Sequence, residues 1–232
     1  MYRYLNSENT IETIRVLNKR IDERFSGSGL SKVCAELHRI AIENQARSER
    51  IARPDYRLRI VVAGIIVTSL GALIFSVTVS DITPGRFDFG ELVQVIESGI
   101  NNLVLIGAAM FFLISMETRL KRSRALDALH ELRAIAHVID MHQLTKDPSA
   151  YMSKVIYTRS SPRHNLTAYE LTRYLDYCSE MLSLTGKVAA LYAQKFHDAY
   201  VISVVNEIES LCTGLSRKIW QKIMILNRLS EE

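Results

Sequence analysis

Two uncharged stretches constrain this chain more than any other feature. No Asp, Glu, Lys or Arg occurs between Ile60 and Ser80, or between Gly99 and Met116, whereas the segments on either side are dense in charge. The apolar runs Leu58–Ser80 and Gly99–Met116 are each of a length and composition that can cross a hydrocarbon layer as a helix. The overall composition conceals this. A hydrophobic fraction of 48% is ordinary for a soluble protein, and only its uneven distribution along the 232 residues sets this chain apart. The expected fold class is all-α: an integral membrane protein with a two-helix transmembrane hairpin and a cytoplasmic antiparallel helical bundle.

Charge orients the hairpin. Arg47, Arg50, Arg53, Arg57 and Arg59 precede or open the first arm, and Arg119, Lys121, Arg122 and Arg124 follow the second. The connection holds Asp81, Asp88, Glu91 and Glu97 against Arg86 alone. The positive-inside rule places both termini in the cytoplasm, in a bacterial inner membrane, with the connection outside. Arg53, Arg57, Arg59, Arg119, Lys121 and Arg122 are read as lipid-facing anchors, their stems apolar and their charges near anionic headgroups. The opening residues 1–57 are polar and lack the apolar core of a cleavable signal peptide. The net charge of +4 brackets the membrane arms instead of forming one soluble face, so nucleic acid is not an expected partner.

Three regions follow. Residues 1–57 carry two helices separated by Ser26-Gly27-Ser28-Gly29; the first has Ile11, Ile14, Leu17 and Ile21 at helical spacing and the second has Val33, Leu37 and Ile40. Residues 58–116 form the hairpin, with an acidic external loop at 81–98 that turns at Thr83-Pro84-Gly85. Residues 117–232 form the bundle. One helix continues from the second arm to about Thr145, a capping box at Thr167 and Glu170 opens another to about Phe196, and a last runs from about His197 to Leu229, broken at most by Gly214.

Within the hairpin Gly64, Thr68, Gly71 and Ala72 share one face, which favours close helix packing in lipid. On the second arm Asn101, Ala108 and Ser115 recur every seven residues with Asn102 beside the first. They form either a packing seam or the lining of a pore in an oligomer. No charge lies at membrane depth, which argues against a pump or transporter. The Gly-Met-Asn loop of CorA-type magnesium channels and the Asp-Ile-Met-Glu loop of mitochondrial calcium uniporters are both missing.

Chemistry is sought among the histidines. Asp127, His130, His137 and Asp140 share one helical face, a nitrogen and oxygen set that could serve a metal if other helices completed it; the alternative is histidines hydrogen-bonded to carboxylates for structural reasons. Tyr169, Tyr174, Tyr177 and Tyr192 offer either an aromatic surface for a ligand or core edges with their hydroxyls in water. Cys34, Cys178 and Cys212 have no paired spacing and read as reduced thiols. No phosphate loop or nucleophile elbow occurs, and no cofactor is expected.

The layout resembles the SLATT type of bacterial membrane effector, in which a hairpin oligomerises and perturbs the membrane; the resemblance is one of architecture and no residue motif carries it. The leading expectation is a non-enzymatic, homo-oligomeric anchor whose cytoplasmic domain binds a protein or small-molecule partner or senses a signal. An oligomeric channel or membrane-perturbing effector is the first alternative, and a metal-dependent enzyme in the bundle the second.

Overall fold

The computed structural model describes residues 4–79, 89–151, 159–160 and 165–231. The expected turn at Thr83-Pro84-Gly85, most of the segment from Tyr151 to Tyr157, and the loop containing His164 lie outside them, as does the side chain of Arg57. Among the described residues the chain is entirely helical. It has six α-helices: α1 (Ser7–Arg24), α2 (Gly29–Ala52), α3 (Tyr56–Val79), α4 (Phe89–Leu144), α5 (Ala168–Lys195) and α6 (Ala199–Glu231), with a 3-10 turn at Pro148–Tyr151.

Local chemistry explains where these helices begin and end. The Asn6 side chain accepts from the Asn9 backbone N–H at 3.1 Å and starts α1. Gly27, with φ of +66°, supplies the left-handed turn after α1 that other residues resist. Gly29 then opens α2 against the His142 ring, where a Cβ would lie 2.5 Å from Cε1. Thr167 and Glu170 exchange hydrogen bonds in a full capping box at α5, and the Asp198 carboxylate accepts from Tyr200 and Val201 at the start of α6. Gly214 does not interrupt α6. The C-terminal carbonyls of α4 and the turn beyond it are met by the Lys222 ammonium, which donates to Gln143 O at 2.7 Å and Lys146 O at 3.1 Å.

The chain forms two compact units, one of residues Met1–Ala52 and Arg124–Glu232, the other of Arg53–Ser123. The first is a helical bundle. Ile14, Leu17 and Ile21 of α1 and Leu30, Cys34 and Leu37 of α2 enter one core with Leu129, Leu132 and Ile139 of α4, Leu175, Cys178 and Met181 of α5, and Ile208, Ile219 and Ile223 of α6. Each such aliphatic side chain contributes about 1.5–3 kcal/mol when buried. Ala125, Ala128 and Ala136 lie in the same core, so the packing face of α4 is built as much from small residues as from large ones.

The second unit holds α3 and the first part of α4, which continues without interruption from Phe89 to Leu144. One helix among the described residues, Ile96–Leu144, is long and apolar enough to cross a membrane, and none of its most apolar window is buried. Within α3 the corresponding apolar stretch, Arg59–Ala72, is shorter.

Candidate functional site

The apolar unit carries two kinds of face. Among the described residues Val62, Ile66 and Ser69 of α3 are half-covered, as are Asn102, Ile106 and Ala109 of α4, with Leu113 buried. Both sets follow the i, i+4, i+7 spacing of one helical face. The opposite faces are bare, with Val67 70%, Leu103 72% and Phe111 76% exposed. Large apolar side chains in such a row leave a surface that water does not favour.

Gly64, Thr68, Gly71 and Ala72 all fall on the bare side of α3. A Cβ added at Gly64 or Gly71 meets nothing within 4 Å, and the Thr68 hydroxyl donates to Gly64 O at 2.7 Å within its own helix. The chain itself thus packs a different face of α3 from the small-residue one. The second stripe divides: Asn101 and Ala108 are exposed, whereas Asn102 and Ser115 are half-covered.

At the charged end of this unit the Asp55 backbone N–H donates to the Glu117 carboxylate at 3.2 Å, joining the entry of α3 to α4. Lys121 pairs with the same carboxylate at 2.7 Å, so its ammonium is held by protein. Arg53, Arg59 and Arg119 are exposed and Arg122 is half-buried.

The proposed metal-ligand face lies on the outside of the bundle. Asp127, His130 and His137 are exposed, and half-buried Asp140 accepts from Gln143 Nε2 at 2.6 Å. Among the described residues no group of three or more His, Cys, Asp or Glu is placed to hold a metal ion. Asp127 instead borders a cleft of about 470 Å³ with Arg47, Arg50, Ile51, Arg124 and Glu131, in which Arg47 pairs with Glu131 at 2.8 Å.

No protein-family model, curated protein or solved structure matches this chain.

Several residues gain importance only in three dimensions. Tyr192 turns its hydroxyl inward to Asn44, not outward to water. Arg20, Arg24 and Arg173 gather around Tyr177, and Arg24 also lies over the Tyr169 ring. The sequence shows the pieces as pairs one helical turn apart, Arg20 with Arg24 and Arg173 with Tyr177, but only the packing of α1 on α5 joins them. His142, off the Asp-His face, is half-buried: its Nδ1 is 3.4 Å from the Tyr174 hydroxyl, and burial followed by the nearby Lys146 charge holds its pKa below the usual histidine value.

Proposed function

We propose that this chain is a non-enzymatic, homo-oligomeric membrane protein. Its α3 and α4 form a two-span hairpin in a bacterial inner membrane, and its helical bundle, with both termini, is cytoplasmic and binds a partner or senses a signal. The observation that carries this reading is the bare apolar surface of α3 and α4, beginning and ending at arginine-rich segments. At 24 residues, α3 has a length of about 36 Å, enough for a hydrocarbon core of about 30 Å. The Asp55–Glu117 contact supports a hairpin, because it joins the entry of the first apolar arm to the exit of the second, the cytoplasmic ends of both.

Self-association follows from the small-residue face. A Cβ at Gly64 or Gly71 would meet nothing within 4 Å among the described residues, so a neighbouring copy can approach the α3 backbone there. Native mass spectrometry from detergent is expected to record an oligomer of the wild-type protein and a monomer of Gly64→Leu/Gly71→Leu. A monomeric wild type would overturn the reading. Both substitutions point away from intrachain packing, so dissociation reports on contacts between copies.

Exposed Asn101 favours a second reading, an oligomeric channel or membrane-perturbing effector. A carboxamide at membrane depth requires a hydrogen-bonding partner, which water along the axis of a ring would supply. Planar-bilayer recordings should then show a conductance that Asn101→Leu alters; silent bilayers at every protein load sink this version while leaving the anchor intact.

A further inference from the structure

A cleft of about 450 Å³ opens on the bundle, lined by Arg20, Glu23 and Arg24 of α1 and Arg173 and Tyr177 of α5. The three guanidiniums converge on α5 aromatics: Arg173 Cζ is 4.9 Å and Arg20 Cζ 5.4 Å from the Tyr177 ring centroid, and Arg24 Cζ is 5.5 Å from that of Tyr169. Arg24 and Arg173 also act electrostatically on the Tyr177 hydroxyl. Burial raises the pKa of that hydroxyl, but the two arginines outweigh it and the net shift is downward, which marks a positive field at the phenolic oxygen.

Neighbouring carboxylates occupy only part of this donor set. Glu180 takes Arg20 at 3.0 Å and Asp176 takes Arg173 at 2.9 Å, Glu23 lies 3.8 Å from Lys19, and Glu170 is held in the capping box of α5. Arg24 lies over the Tyr169 ring. A guanidinium carries five N–H donors in a planar fork, so donors remain for an entering anion.

We propose that this cleft binds a small phosphorylated molecule through its phosphoryl group, with Arg24 and Arg173 as the principal donors and Arg20 as the third. Three guanidiniums approaching from two helices match an anion with three terminal oxygens better than a two-oxygen carboxylate. The cleft is open to solvent, so a phosphoryl group bound there leaves room for the rest of a larger compound. The site lies wholly within the cytoplasmic bundle, and nothing in its geometry depends on the hairpin crossing a membrane.

The test is isothermal titration of the full chain in detergent with inorganic pyrophosphate at fixed ionic strength. Saturable binding is expected, weakened tenfold or more by Arg24→Gln and by Arg173→Gln and unchanged by Arg15→Gln, whose arginine pairs with Glu12 elsewhere on α1. Absence of saturable binding overturns the proposal, as does an equal loss in Arg15→Gln, which would reduce the effect to general surface charge. Arg24→Lys keeps the charge without the fork and guards against misfolding of the Gln variant. Wild-type affinity in Arg24→Lys would overturn a site built on guanidinium geometry, and a partial loss supports it. Repeating the titration in nanodiscs separates the sources of the phosphoryl group. Loss of pyrophosphate binding in phosphatidic acid discs but not phosphatidylcholine discs assigns it to a lipid headgroup, and equal affinity in both assigns it to a soluble compound.

Discussion

The Tyr192 hydroxyl on α5 donates to the Asn44 carboxamide oxygen on α2 at 3.0 Å, and the two residues are 0% and 1% exposed. The Asn44 amide nitrogen has no partner among the described residues, so this single hydrogen bond carries the polar satisfaction of the pair.

Tyr192→Phe is expected to destabilise the bundle by about 1–3 kcal/mol, because it leaves the Asn44 oxygen buried and unpaired. Tyr192→Phe/Asn44→Leu should lose less than the two single substitutions added together, since the double variant buries no orphan. Urea unfolding followed by circular dichroism measures the cycle; strict additivity would show that the hydrogen bond does not couple the helices.

Acid is expected to weaken the bundle through His142. Its folded pKa lies below 6.5, so the unfolded chain takes up the proton first. The linkage sign then makes stability constant above about pH 6.5 and falling as pH drops through that value, until the folded histidine also protonates. The His142→Gln chain should lose this part of the pH dependence. Urea midpoints at pH 7.5 and 5.5 compare the two proteins, and identical falls in both would remove His142 as the cause.

The three thiols should resist modification. Cys34, Cys178 and Cys212 are buried and unpaired; burial pushes the first two to about 12 and Cys212 to about 11. Thiolate is the reactive form, so at pH 8 a maleimide should label none of them within minutes in the folded protein and all three after denaturation. Rapid labelling of any one before unfolding would contradict its enclosed placement.

Local signals in the sequence translate directly into the fold. Thr167 and Glu170 are three residues apart and their capping box needs no tertiary partner, so it is legible by itself. The uncharged run from Gly99 to Met116 is equally plain, because a charged residue would be costly in lipid. What periodicity leaves open is which face of a helix meets which neighbour. Gly64 and Gly71 mark a face suited to close approach, yet the chain half-covers Val62, Ile66 and Ser69 instead. His130 and His137 share a stripe that ends up outside, since buried Ala125, Ala128 and Ala136 turn the adjacent face inward. The arginine-lined cleft and the Tyr192–Asn44 bond join residues more than a hundred positions apart, a separation over which sequence spacing carries no geometry.

The shared core of the bundle also sets a timetable for synthesis. The apolar stripes of α1 and α2 emerge first, but much of the surface that covers them belongs to α5. Roughly a hundred residues separate Ala52 from Ala168, which at ~5–20 residues per second is on the order of 5–20 s of translation. During that interval Ile14, Leu17 and Leu37 await their final neighbours while the most apolar part of the chain leaves the ribosome. The bundle therefore closes late, after the intervening helices have had time to find their own solvent.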